Sequence, residues 1–307
     1  VKRVKTVYGI FYAALFALVF VNGTGGGVSA FHSQNESFVA IILGIVQGLT
    51  EFLPVSSSGH LILTNALIGE DSPRIKTFEI VIQLGSILAV VLLYRKRFFA
   101  LFFPPILSGG MAPGGFSGFR GLLLLFLTCL PASILGLLAH SVIKDKLFNP
   151  SSVALALVVG AIAMLLVERR QSPPAVTSID EITPRMALCI GLCQCFSLWP
   201  GFSRSASTIM GGMLMGARRD VAAEYSFIAA VPIMFAATSF DLYKSIDILN
   251  VGDIPFFLLG MSVSLAVALF AIKAFMGLVG RISLRPFAWY RLALAPLVFW
   301  SLHNDAL

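Results

Sequence analysis

Charge is what this chain has least of. Only 12% of its 307 residues are charged, against about 25% in soluble domains, and 57% are hydrophobic. That excludes an ordinary soluble enzyme and indicates a multi-spanning helical membrane protein. The period-two alternation of an outer-membrane barrel is also missing, because the apolar runs are continuous. The formal net charge is +7, but no basic stripe with interleaved aromatics occurs. The positive charges therefore report membrane orientation, and no nucleic-acid partner is expected. Cysteine is scarce as well. Cys129, Cys189, Cys193 and Cys195 lie in apolar segments without metal-type CxxC spacing and read as packing residues.

Against that background residues 44–60, GIVQGLTEFLPVSSSGH, stand out. A carboxylate at bilayer depth costs roughly 2.5–3.5 kcal/mol on insertion scales, yet this stretch carries Glu51. Gln47 lies one helical turn before it on the same face. Pro54 stops the helix, and the serines and Gly59 lead the chain away. Such a break at membrane depth is tolerated only against buried protein or a cavity. An interfacial loop between two short helices is the plainer alternative.

Residues 1–36 have the layout of a signal peptide: Lys2, Arg3 and Lys5, an apolar run from Val7 to Val21, and Val28-Ser29-Ala30. An uncleaved N-terminal anchor has the same features. The sequons at Asn22 and Asn35 are taken as chance. Residues 37–307 form the polytopic domain. From Phe38 to Ile68 a spanning-length run is broken halfway, which predicts a re-entrant hairpin. Spans are expected at 78–94, 121–140, 152–167, 221–240, 254–275 and 287–302, with flexible extramembranous loops at 95–120 and 168–185. Residues 186–216 repeat the broken pattern. Gly44-x-x-Gln47 recurs as Gly191-x-x-Gln194, and Pro54 as Pro200, each followed by a Gly/Ser-rich turn. Two broken helices at corresponding places are the mark of an inverted repeat with a site at the midplane.

Placing the 94–120 loop in the cytoplasm puts Arg169 and Arg170, Arg218 and Arg219, and Arg281 and Arg285 there too. The other side receives Lys144, Lys146 and the Asp241–Asp253 loop with Lys244. The expected fold is thus an all-α integral membrane protein, with about six transmembrane helices and two opposed re-entrant hairpins whose tips meet.

The tips would bring together Gln47, Glu51, Ser56, Ser57, Ser58, His60, Ser203, Arg204, Ser205, Ser207 and Thr208. An arginine among hydroxyls, with two helix N-termini, is a phosphate cradle. Glu51 with Gln47 suits a divalent cation bridging phosphate oxygens. His60 serves as nucleophile or acid, or Ser57 is the nucleophile with His60 as its base. A structural Arg204–Glu51 ion pair is the bland alternative.

These elements resemble the bacterial undecaprenyl-pyrophosphate phosphatase family of the bacitracin-resistance type, from about residue 38 to the end. Its (E/Q)xxxE element matches Gln47 and Glu51. Its PxSSxGH element matches Pro54, Ser56, Ser57, Gly59 and His60. Its PGxSRS element with a following Thr matches Pro200, Gly201, Ser203, Arg204, Ser205 and Thr208. The resemblance implies a multi-pass enzyme of the bacterial inner membrane, with its site opening to the periplasm. That enzyme removes the terminal phosphate of undecaprenyl diphosphate, which recycles the lipid carrier for peptidoglycan synthesis and lowers bacitracin's target. It also implies a polyprenyl diphosphate lipid as partner and a divalent cation, Mg2+ or Ca2+, as cofactor, and it leaves a homodimer open. Two positions depart from the pattern: Gln47 fills the first acidic place, and Ala206-Ser207 replaces Gly-Ala. A lipid-carrier flippase on the same fold is the second reading. An acid phosphatase of the soluble kind lacks its second histidine, since His32, His140 and His303 stand outside any motif.

Overall fold

A computed structural model describes residues 36–301, apart from 70–71, 104–114, 140–142, 144–145, 148 and 171–172. The expected signal peptide or anchor, with its sequons, therefore falls outside the described residues, as do His32, His140, Lys144 and His303. The chain forms α1 (Glu36–Thr50), α2 (Ser57–Ile68), α3 (Pro73–Leu93), α4 (Arg95–Phe102), α5 (Gly118–Leu138) and α6 (Pro150–Arg169). After these come α7 (Pro184–Gln194), α8 (Arg204–Leu214), α9 (Arg219–Lys244), α10 (Ile254–Val279) and α11 (Arg285–Ser301). No strand occurs among the described residues. Three helices start on a polar cap followed by proline. Ser72, Asn149 and Thr183 each accept a backbone N–H of the first turn, with Pro73, Pro150 and Pro184 at the position whose N–H is not needed.

Among the described residues five helices, α3, α5, α6, α9 and α10, are long and apolar enough to cross a bilayer. The sixth expected span, α11, has 17 residues, at the short end of what can span. The loop expected at 95–120 contains α4, whose RKRFFALF sequence follows three basic residues with an apolar run; Ala100 and Leu101 are buried. The polar segment before α7 holds a short 3-10 turn at Ile179–Glu181.

α1 and α2 form one hairpin and α7 and α8 the other. Each hairpin leans on the opposite half of the chain: α1 packs chiefly against α10, and α7 against α5. Gly44 and Gly48 allow the first approach, since a Cβ on either would meet the carbonyl of Gly260 or Ser264 at 2.7 Å. α3 and α9 pack between the hairpins, and α6 pairs with α11. The main apolar cluster gathers where the tips meet α9, with Phe52 edge-on to Phe227 at 5.1 Å.

Charged side chains segregate to two poles. At one, Arg97 holds Asp180 at 3.0 Å, Arg120 donates to Ile182 O at 2.6 Å, and Arg219 grips Glu168 at 3.0 Å. Burial pushes the Asp180 carboxyl up, but the Phe116 N–H and Arg97 outweigh it and hold the group below the usual carboxylate range. At the other pole Arg74 pairs with Glu36 and Asp253, both at 2.7 Å. The arginine loops that the alternation of spans assigns to one side do share a pole.

Candidate active site

Both hairpin tips are built by the same local device. The chain turns through a serine of positive φ, Ser56 (φ 72°) and Ser203 (φ 78°), the only such non-glycine residues among those described. Each serine caps the helix that follows, Ser56 accepting from Gly59 N and Ser203 from Ala206 N. A non-glycine backbone in this region costs of order 1–3 kcal/mol, and here it aims two helix N-termini at one point. The first residue of each helix is a candidate from the sequence: Ser57 in α2 and Arg204 in α8. The tips lock through Ser205, whose hydroxyl donates to Leu53 O at 2.8 Å.

Between them lies a cavity of about 210 Å3. Glu51, Ser56, Ser57, Ser58, Ser203 and Arg204 line it, together with Gln83 of α3 and Ile233, Met234 and Ala237 of α9. Glu51 links its walls. Its Oε2 accepts from Ser57 Oγ at 2.8 Å and from Gln47 Nε2 at 3.0 Å, while its Oε1 lies 3.4 Å from Arg204 Nη2. Arg204 also donates to Ser226 O at 3.1 Å, lies 5.5 Å from the centre of the Phe52 ring, and has a buried Nε without a partner. The ion pair foreseen as the bland reading therefore exists, on the wall of the cavity.

Other expected site residues stand behind that wall. Gln47 is fully buried and braces Glu51. Ser205 is used up in joining the tips. Thr208 bonds Arg204 O at 2.9 Å and Ser226 Oγ at 2.6 Å, so it supports the arginine's own turn. Ser207 likewise donates to Arg204 O at 2.8 Å. His60 is not brought into the cavity. Its Nδ1 donates to Ser56 O at 2.6 Å and its Nε2 meets the Tyr290 hydroxyl at 2.7 Å. The partner expected to activate Ser57 is thus engaged elsewhere, and Glu51 occupies that place. In the second hairpin the position equivalent to Glu51 is Leu198, also on the cavity wall.

Gln83, Ser226, Tyr290 and Arg291 were not singled out from the sequence. For Arg291 a signal existed, a lone arginine in an apolar helix; a glutamine or serine within a span carries no comparable mark.

The oxygen set suits a hard cation. Gln47 Oε1 is buried without a partner, and turning that amide over would set a second oxygen beside Glu51. No group of three or more His, Cys, Asp or Glu occurs among the described residues. Such an ion would therefore take its other ligands from water and phosphate, as Mg2+ commonly does.

The sequence has counterparts among known proteins. A protein called undecaprenyl-diphosphatase from Maridesulfovibrio salexigens is 60% identical over 267 residues, covering 86% of this chain and 98% of that one. A protein of the same name from Nitratidesulfovibrio vulgaris strain DP4 is 60% identical over 268 residues, 87% of this chain and 98% of its own. One from Lawsonia intracellularis is 51% identical over 263 residues, 85% and 96% of the two chains. The sequence model of the bacitracin resistance protein BacA family matches residues 40–297, a stretch that contains both hairpin tips and every residue of the cavity wall, and the chain belongs to that family.

Proposed function

We propose that this chain hydrolyses undecaprenyl diphosphate to undecaprenyl phosphate and inorganic phosphate, and that Ser57, Glu51 and Arg204 carry the reaction. The observation behind this reading is the Glu51 carboxylate, bonded on one oxygen to the Ser57 hydroxyl and paired on the other with Arg204. Ser57 Oγ attacks the terminal phosphorus as its proton passes to Glu51. The bond from that phosphorus to the bridging oxygen breaks, and undecaprenyl phosphate leaves. Glu51 passes that proton to the departing undecaprenyl phosphate, takes another from a water that attacks the phosphoserine, and returns it to Ser57 Oγ as the bond from phosphorus to that oxygen breaks. Inorganic phosphate is released and the serine hydroxyl is restored. Arg204 and the N-termini of α2 and α8 hold the phosphoryl oxygens throughout. Glu51 and Gln47 would hold a divalent cation, Mg2+ or Ca2+, which when bound neutralises charge on the diphosphate.

The poles support a reading of sidedness. The pole of Arg97, Arg120 and Arg219 is the arginine-rich one, which supports reading it as the cytoplasmic side of a bacterial inner membrane. The cavity residues of α9 begin at Ile233, roughly 21 Å along the helix from Arg219 at 1.5 Å per residue, so the cavity sits toward the other, periplasmic side. A reporter fused after Arg97 or Arg170 is expected to read cytoplasmic, and one fused near Asn250 periplasmic. Agreement between the two fusions would overturn the assignment.

The activity itself is tested without a membrane. Purified protein in detergent should release phosphate from a C55 diphosphate, and a chelator should stop it until Mg2+ or Ca2+ is restored. Release unaffected by the chelator would remove the cation, and no release at all would favour the flippase reading.

A further inference from the structure

Arg291 is the largest fully buried side chain among the described residues and is excluded from solvent. Its Nη2 donates to Ala156 O at 3.2 Å and to Gly201 O at 2.9 Å, its Nη1 meets Met164 Sδ at 3.7 Å, and its Nε has no partner. None of these contacts is a carboxylate. A buried guanidinium satisfied mainly by carbonyls is costly, and the helices make room for it: a Cβ on Gly160 would run into its head group. One of the two carbonyls belongs to the tip of the second hairpin. Gly201 has φ +98°, lines the cavity and lies two residues before the strained Ser203.

The neighbouring residue on α11 does the same for the first hairpin. Tyr290 meets His60 Nε2 at 2.7 Å, and His60 Nδ1 donates to Ser56 O at 2.6 Å. Ser56 is the other strained residue, and Ser57 follows it. Two consecutive side chains of one helix therefore reach the two tips, each through a carbonyl of a positive-φ residue.

We infer that Tyr290 and Arg291 are positioning residues for the reaction: Tyr290 sets Ser57 through His60 and Ser56, and Arg291 sets Arg204 through Gly201. The inference rests on the roles proposed for Ser57 and Arg204. It also gives His60 a task that needs neither nucleophilicity nor access to the cavity. Because the tips do different chemistry, loosening each has a different kinetic signature. A displaced nucleophile slows the chemical step, since small misplacements of a reacting group are costly. A displaced arginine turn weakens binding of the diphosphate in the ground state as well.

The experiment measures kcat, KM and inhibition by inorganic pyrophosphate on the purified full chain, beside thermal unfolding. Tyr290→Phe, which removes one hydroxyl, is expected to lower kcat about tenfold with KM and pyrophosphate inhibition within about twofold of wild type. Arg291→Lys is expected to lower kcat and also to raise KM and the pyrophosphate inhibition constant, each roughly tenfold. If the lysine variant does not accumulate folded, Arg291→Gln replaces it, keeping a donor for Gly201 without a buried charge. Unchanged kinetics in both variants, or losses of kcat that only follow the folded fraction, would overturn the inference. An active Glu51→Gln enzyme would instead sink the underlying reading. With that variant inactive, failure in Tyr290 and Arg291 counts against the positioning alone.

Discussion

Glu51→Gln is expected to reduce turnover by about three to four orders of magnitude while the protein remains inserted and folded. The substitution keeps the side chain's shape, and an amide oxygen can still accept from Gln47 or Ser57. What it removes is the proton acceptor for Ser57 and the anionic ligand for a cation. General base catalysis alone contributes roughly 10²–10⁴, so loss of the base accounts for most of the expected effect, at about 1.4 kcal/mol of barrier per tenfold. Folding suffers less, because the amide still accepts from its neighbours and Arg204 keeps Ser226 O and the face of Phe52. Gln47→Glu provides the converse. It places a second carboxylate about where Gln47 Nε2 now lies, 3.0 Å from Glu51 Oε2, an arrangement that needs a cation or a shared proton to be tolerated. That variant should stay active and become more sensitive to chelation. Phosphate release by Glu51→Gln at near wild-type rates would remove the residue from the mechanism.

Arg204→Lys carries the second large effect. The guanidinium spans Glu51 Oε1 at 3.4 Å and Ser226 O at 3.1 Å, and its plane is what lets one side chain do both and still face the cavity. A lysine keeps the charge and loses the fork. If the pair with Glu51 were only structural, a retained charge would suffice and turnover would fall modestly. As a clamp on the transferring phosphoryl group, Arg204 should be worth roughly two to three orders of magnitude in kcat, the scale of one transition-state donor. Thermal unfolding measured alongside should shift little. Near-normal turnover of the lysine variant, or loss of activity only through unfolding, defeats the clamp.

The hairpins were readable because a proline and a carboxylate inside an apolar run have few benign explanations in a membrane. Gln47, Glu51, Ser57 and Arg204 were found by residue type, and their convergence by the repeat. What sequence could not show is which polar groups face the cavity. Serine, threonine and histidine are equally able to bind phosphate or to satisfy a backbone carbonyl, and at bilayer depth unsatisfied carbonyls are abundant wherever a helix breaks. Thr208 and His60 went to that second use. Nor did spacing reveal that Ser57 and Arg204 occupy equivalent backbone positions, because the equivalence lies in a shared positive φ rather than in shared residue type. α4 was missed because its arginines and lysine masked a short amphipathic run.

The exchange of partners between the halves bears on how the protein is made. The first hairpin is synthesised early, but α1 finds its chief neighbour only in α10, about two hundred residues later. A ribosome adding roughly 5–20 residues per second leaves that hairpin waiting for tens of seconds. Meanwhile a glutamate, a glutamine and a run of serines have no cavity to line. The second hairpin waits for nothing comparable, since α5 is already in place when α7 emerges. Insertion of the first hairpin is therefore the late, order-dependent event in biogenesis. A chain stopped before α10 would contain both tips but lack the helix that α1, and with it Glu51, packs against.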